Sequence, residues 1–234
     1  MDWRTRSKER RLCHAELEAW SVAPHLSSDQ GCQMRTVIQL IRRDHHEIEA
    51  LLGVLEEECV RFGRAERPDY ELLHETTDCL RSLLDHFCWP REDLLIALVK
   101  NRKEWCDRTI ANVLAERAVA ASSLQALSDH LRDILNEQRV SRQSFCEAAC
   151  KFLQHERRQI EGVEREFLPV ALSVLTPSDW ADVRARQEEE ENSQVGRDLK
   201  KRLRTQRHWV LREAAADKNE RSRRQESPIP EGKL

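Results

Sequence analysis

The chain reads as an all-α protein, an antiparallel up-down four-helix bundle with extra C-terminal helices. Three observations predict this. Charged residues fill 35% of the 234 positions and aromatics 5%, with six glycines and seven prolines, which is the composition of long amphipathic helices. Apolar residues recur at three- and four-residue spacing in four long stretches. No alternating strand pattern bounded by turn dipeptides occurs along the chain.

Residues 1–34 are polar and irregular, with short-helix character over Leu12–Trp20 and a loop-like stretch from Pro24 to Gly31. The first long helix is predicted from about Thr36 to Arg61, ending near Gly63. Its stripe is Ile38, Ile41, His45, Ile48, Leu52 and Leu55. The Arg67-Pro68-Asp69 turn opens the second helix, whose stripe runs Leu73, Thr77, Leu80, Leu84, Cys88, Glu92, Leu95, Val99. Pro90 removes the hydrogen bond to the carbonyl of His86, so a local kink is expected there. After the polar stretch from Asn101 to Arg108, a third helix carries Leu124, Leu127, His130 and Ile134 as far as Leu135.

The fourth helix starts after Gln138 and Ser141 and carries Phe145, Ala149, Phe152, Gln159, Val163 and Phe167, closing near Pro169. Short polar connections let these four rods cover each other's apolar faces. Thr176-Pro177-Ser178-Asp179-Trp180 then has an N-cap hydroxyl, an early proline and a first-turn acid, a good helix start. The Glu188–Glu191 run reads as solvated. Residues 200–224 hold ten Lys/Arg against three Asp/Glu, and disorder is expected from about Lys218. The organisation is therefore a lead-in over 1–34, a bundle over 35–175, a helical extension over 176–217 and a tail over 218–234.

The net charge of −3 argues against a protein built for nucleic acid. The chain opens on a polar, Arg-rich stretch and has no apolar run of about eighteen residues, which predicts a cytoplasmic protein with no membrane partner. The eight cysteines lie along helical stripes and are expected as thiols. Cys146 and Cys150, one turn apart, suit packing or a metal better than a disulfide within one helix.

The chemistry lies in polar residues set into apolar stripes. His45 sits between Ile41 and Ile48, and His130 between Leu127 and Ile134; each follows an aspartate, Asp44 and Asp129. A buried imidazole needs a partner for each ring nitrogen, which metal, a carboxylate or a carbonyl can supply. Glu92 shares a face with Cys88 four residues before it, so thiol and carboxylate point the same way from adjacent turns. Two histidines, a glutamate and a cysteine facing one axis form a ligand set that zinc or iron accepts. A lone histidine, however, is more often satisfied by a carboxylate or carbonyl, a lone cysteine is more often packing, and Glu92 has a buried bond to His45 or His130 as its alternative.

Over roughly residues 36–215 the chain resembles bacterial hemerythrin-like proteins, four-helix bundles that hold a non-haem di-iron centre. The resemblance rests on Leu40-Ile41-Arg42-Arg43-Asp44-His45-His46-Glu47-Ile48, on Cys88-Trp89-Pro90-Arg91-Glu92-Asp93-Leu94-Leu95 and on Leu127-Ser128-Asp129-His130. Glu164-Arg165-Glu166-Phe167-Leu168-Pro169 and Leu175-Thr176-Pro177-Ser178-Asp179-Trp180 extend it. It implies that His45, Glu92 and His130 occupy ligand positions and that Cys88 stands where the family has a histidine. The fourth-helix pair falls on Gln159 and Val163; His155 and Glu164 are nearby substitutes that a register shift would recruit, Glu164 by turning roughly 100° around the helix.

That ligand set is short of the bridging carboxylates a di-iron pair requires. The expected function is a sensory or regulatory bundle, responsive to redox state, oxygen or metal, with an eroded site holding iron, zinc or nothing. Alternatives are a metal-free interaction module docking an unknown protein partner through Lys200–Arg224 and Trp209, and an intact di-iron oxygen binder using shifted ligands. Nucleic-acid association through the basic stretch ranks last. No nucleophile triad or phosphate loop stands out, so no enzyme is expected.

Overall fold

A computed structural model describes residues 28–64, 66–102 and 107–226. Every element is helical, and no strand occurs among the described residues. The elements are α1 (Ser28–Gly63), α2 (Tyr70–Leu83), α3 (Trp89–Arg102), α4 (Asp107–Leu135), α5 (Arg142–Gly162), α6 (Leu168–Val174), α7 (Pro177–Asn192) and α8 (Gln194–Glu226). A π-helical turn, Leu84–Cys88, joins α2 to α3, and another, Val163–Phe167, joins α5 to α6.

Local chemistry accounts for three of the helix starts. Asp69 caps α2 by accepting from the Leu72 N–H at 3.0 Å, and Ser141 caps α5 by accepting from the Ser144 N–H at 3.0 Å. Thr176 and Asp179 form a reciprocal capping box at the start of α7. α1 starts at Ser28, before the expected Thr36, and runs through Gly31: one glycine costs about 1 kcal/mol, too little to end a long helix. The Leu12–Trp20 segment lies outside the described residues.

Pro169 does not close the fourth rod. The π turn before it relieves the proline, and α6 carries the chain on to Val174. The same device stands before Pro90, where the expected kink is a π turn closed by the Trp89 N–H donating to the Leu84 carbonyl. α8 also runs past the expected end at Lys218, to Glu226. Ion pairs hold it there: Lys218 reaches Glu57 at 2.9 Å and Arg221 reaches the buried Glu58 at 3.2 Å. The acidic run lies at the end of α7, with Glu188–Glu190 exposed, but Glu191 turns inward to Arg91 and to Lys200 (2.6 Å).

The anticipated stripes of α1, of α2 and α3, and of α5 are buried faces, whereas that of α4 departs from the buried face at the half-buried His130 and Ile134. α1 packs against α2, α5, α7 and α8, α2 against α4 and α8, and α4 against α5. Two apolar cores result. One gathers Ile48–Cys59 of α1, α2, Ala120–Leu131 of α4, Phe145–Ile160 of α5, and Leu203 and Val210 of α8. The other gathers Val37–Ile41, α3, Ile110 and Val113, Val163–Ala171, and Trp180 and Val183 of α7. No described helix is long and apolar enough to cross a membrane.

Glu58 ties three segments at one end, accepting from Arg61 (2.8 Å), Arg221 and the Asp69 N–H (2.9 Å). Glu58→Ala is expected to cost about 2 kcal/mol in urea denaturation, because it orphans the Asp69 N–H and leaves Arg61 and Arg221 to share Asp217. Limited proteolysis should then cut α8 near Arg221 faster than in the parent.

Candidate metal centre

Each long rod places a polar residue at the boundary between the two cores. His45 of α1 lies between Ile41 and Ile48, Glu92 of α3 between Cys88 and Leu95, and Arg117 of α4 between Val113 and Ala120. Glu156 and Gln159 of α5 lie between Phe152 and Val163. All five are buried, with Glu92, Glu156 and Gln159 at 0% exposure. A layer of hydrogen-bonding groups thus separates two hydrocarbon layers.

Glu92 is the hub. Its Oε1 lies 3.0 Å from His45 Nε2 and accepts from Cys88 Sγ at 3.5 Å. Its Oε2 accepts from Arg117 Nη2 and from Gln159 Nε2, each at 2.6 Å. Arg117 also pairs with Asp93 and stacks over the Trp89 ring, 5.7 Å from its centroid. The second nitrogen of His45, Nδ1, lies 2.8 Å from Glu164 Oε1. Glu164 gains this reach from the π turn, which supplies the register shift that an uninterrupted helix lacks.

Burial works against the charged form of each group, and neighbours decide the outcome. Burial alone would lower the His45 pKa, but the carboxylates of Glu164 and Glu92 outweigh it and bring the imidazole to about 9. Burial opposes the Glu92 charge, yet bonds and charges from His45 and Arg117 hold it below the ordinary carboxylate range. Burial pushes the Cys88 thiol well up, with Glu92 and Glu156 adding to the effect. Glu156 is raised to about 8 by burial and by the Glu92 charge, so it is a neutral acid at pH 7.

His45, Cys88 and Glu92 each offer a ligand atom within 4.8 Å of the others, so the cluster can hold a metal ion. One tetrahedral ion separates N, O and S ligands by about 3.3–3.7 Å, given bonds of about 2.0–2.3 Å. The observed 3.0 and 3.5 Å are close to that shell before any ion draws the groups around itself. The supporting contacts also suit an ion. Glu164 orients His45 through the nitrogen that does not face Cys88 and Glu92, and Arg117 and Gln159 anchor the Glu92 oxygen that faces away. A second ion fits poorly, because the oxygen that would bridge to it already receives a guanidinium.

The remaining candidates fall elsewhere. His130 does not join the cluster; its Nε2 lies 3.0 Å from Ser144 Oγ at the α4–α5 turn. The buried face of α4 runs Ile110, Val113, Arg117, Ala120, Leu124, Leu127, Leu131, which leaves His130 about 100° to one side. His130 also stands thirteen positions past Arg117, about 20 Å along the axis. His155 pairs with Glu116 (2.5 Å), away from the hub. Gln159 and Glu164 belong to the centre as hydrogen-bonding partners. Asp44 bonds Arg91, whereas Asp129 pairs on the surface with Arg132 at 2.8 Å.

Arg117 and Glu156 were not anticipated, although both interrupt apolar stripes as His45 does. Cys59, Cys79, Cys88, Cys146 and Cys150 are free thiols. No family model, no curated protein and no solved structure matches this chain.

His45 and Glu156 both bind a proton more tightly when folded than when unfolded. The stability this confers is complete below their unfolded pKa values and is lost as pH rises through about 9 and about 8 respectively. Chelator-treated protein should therefore lose stability steadily from pH 5 to pH 9 in urea titrations. His45 alone contributes on the order of 3 kcal/mol of that fall. His45→Gln should remove the His45 share of the slope above about pH 6.5 and leave that of Glu156, whereas a profile already flat in the parent would contradict the assignment.

Proposed function

We propose that this chain is a hemerythrin-like four-helix bundle whose centre is reduced to a one-metal site, serving a sensory or regulatory role rather than oxygen carriage or catalysis. α1, the α2–α3 rod, α4 and the α5–α6 rod would be the four antiparallel rods, with α7 and α8 added. The observation that carries the reading is the convergence of His45, Cys88 and Glu92 in a dry layer with oriented supporting contacts. A bound divalent cation would supply positive charge that converts the Cys88 thiol to thiolate and holds it beside imidazole and carboxylate.

The residues themselves define the response. A bound ion would take the place of the Nε2 proton of His45 that faces Glu92, leaving the Nδ1 proton that faces Glu164. Arg117 and Gln159 hold Glu92 in place whether or not an ion is present. The thiolate makes the set softer than one of nitrogen and oxygen alone, which favours zinc and leaves one position sensitive to oxidation. Gain or loss of the ion, or oxidation of Cys88, would change the linkage of α1 to the start of α3, a signal available to whatever packs on the outer helices.

A second reading, a metal-free interaction module, has its own observation. Protonated His45 and Arg117 balance the charges of Glu92 and Glu164 with no ion at all.

Elemental analysis of protein purified without chelator separates the two. The proposal expects one zinc or iron per chain, lost in Cys88→Ala and His45→Ala proteins that retain their helical circular dichroism. Two irons with oxo-bridge absorption would replace it with a dinuclear centre. No metal, with melting unchanged by chelator, would leave the interaction module.

A further inference from the structure

Glu156 is the one acid in the polar layer with nothing to bond. Both carboxyl oxygens are buried and lack any hydrogen-bond partner, and so does Gln159 Oε1 one turn later. Buried polar groups are nearly always satisfied, and an orphaned carboxyl costs more than an orphaned amide or hydroxyl. Plain packing gives no account of it, since Leu or Met would fill the same stripe position without that penalty.

Its neighbours in sequence fix where it faces. His155 is tied to Glu116 of α4 at 2.5 Å, and Arg157 to Glu56 (2.8 Å) and Glu49 (3.5 Å) of α1. Glu156 lies between those two seams and turns into the interior, one turn before the Gln159 that donates to Glu92. The charged and titratable groups around it are His45 and Glu49 from α1, Cys88 and Glu92 from the α2–α3 rod, and Arg117 from α4.

We propose that Glu156 is a metal ligand, its carboxylate completing with His45, Cys88 and Glu92 a four-residue shell of one nitrogen, one sulfur and two oxygens for a single divalent cation. This rests on the one-metal reading. The carboxyl stands outside the 4.8 Å triad, so ligation requires rotation about its own side-chain torsions. No hydrogen bond has to be broken for that rotation. With four protein ligands the ion has no open position, so the site is closed and suits structural or sensory use better than substrate activation. Two carboxylates and a thiolate bring three negative charges to a dication. Arg117, fixed on the far oxygen of Glu92, offsets the excess.

The test is titration of the chelator-stripped full-length chain with cobalt(II), whose visible bands report coordination geometry and whose near-ultraviolet charge-transfer band reports thiolate. The parent should bind one cobalt with intense tetrahedral bands and thiolate charge transfer. Glu156→Gln should keep the charge-transfer band, weaken cobalt binding at least tenfold and reduce the visible intensity. Glu156→Leu guards against misfolding of the amide variant. It should melt higher than the parent in chelator, because the orphan is gone, and gain less in melting temperature when cobalt is added. Unchanged affinity, spectrum and cobalt-induced melting shift in both variants would overturn the role of Glu156 while leaving the one-metal centre standing. Failure of the parent to bind cobalt would overturn that centre, and this ligand with it.

Discussion

A carboxylate sealed from water is tolerable only if every lone pair has somewhere to go, and Glu92 meets that condition with contributions from four other helical elements. His45 comes from α1, Cys88 from the preceding π turn, Arg117 from α4 and Gln159 from α5. Removing one partner of a buried charge typically costs about 3–5 kcal/mol, comparable with a substantial part of a domain's whole stability. The hub therefore fixes register. Sliding any rod by one turn would drive a charged group into one of the flanking hydrocarbon layers and leave Glu92 short of a donor.

The same layer explains how the molecule can bury a cluster of titratable groups without unravelling. The apolar faces above and below it are complete in themselves, with Phe145 and Phe152 on one side and Phe167 and Trp180 on the other. α7 and α8 belong to those cores through Trp180, Val183, Leu203 and Val210, and are pinned by ion pairs such as Lys200 to Glu191. The outermost helices are thus connected to the centre by packing and charge, through Arg91, which bonds Asp44 of α1 and Glu191 of α7.

The helical class and the buried faces of α1, α2 and α3 were legible in the sequence, because strict three- and four-residue spacing leaves little choice of face. His45, Cys88 and Glu92 were legible for the same reason. His130 misled because Leu124 and Leu127 continue equally well to 130 or to 131, and a single histidine made the first path attractive. The α4 stripe traced back from Leu131 passes through Arg117, an equally conspicuous interruption that reads as a solvated residue until its partner is known. Glu156 was passed over in the six-residue gap between Phe152 and Gln159, where a charged residue is ordinarily discounted. The reach of Glu164 could not be read at all, since helical periodicity assumes an unbroken α-helix.

The two π turns share one grammar: each spans five residues, each is followed by one residue and then a proline, and each carries a residue of the centre, Cys88 or Glu164. A π turn is an α-helix that has accommodated one additional residue. Loss of a single codon from Val163–Phe167 would return that rod to ordinary helix and swing Glu164 aside, with Phe167 onward carried round by the same angle. Reading-frame-preserving deletions of this kind offer evolution a discrete way to detach His45 from its outer acid without altering any of the residues that touch the hub.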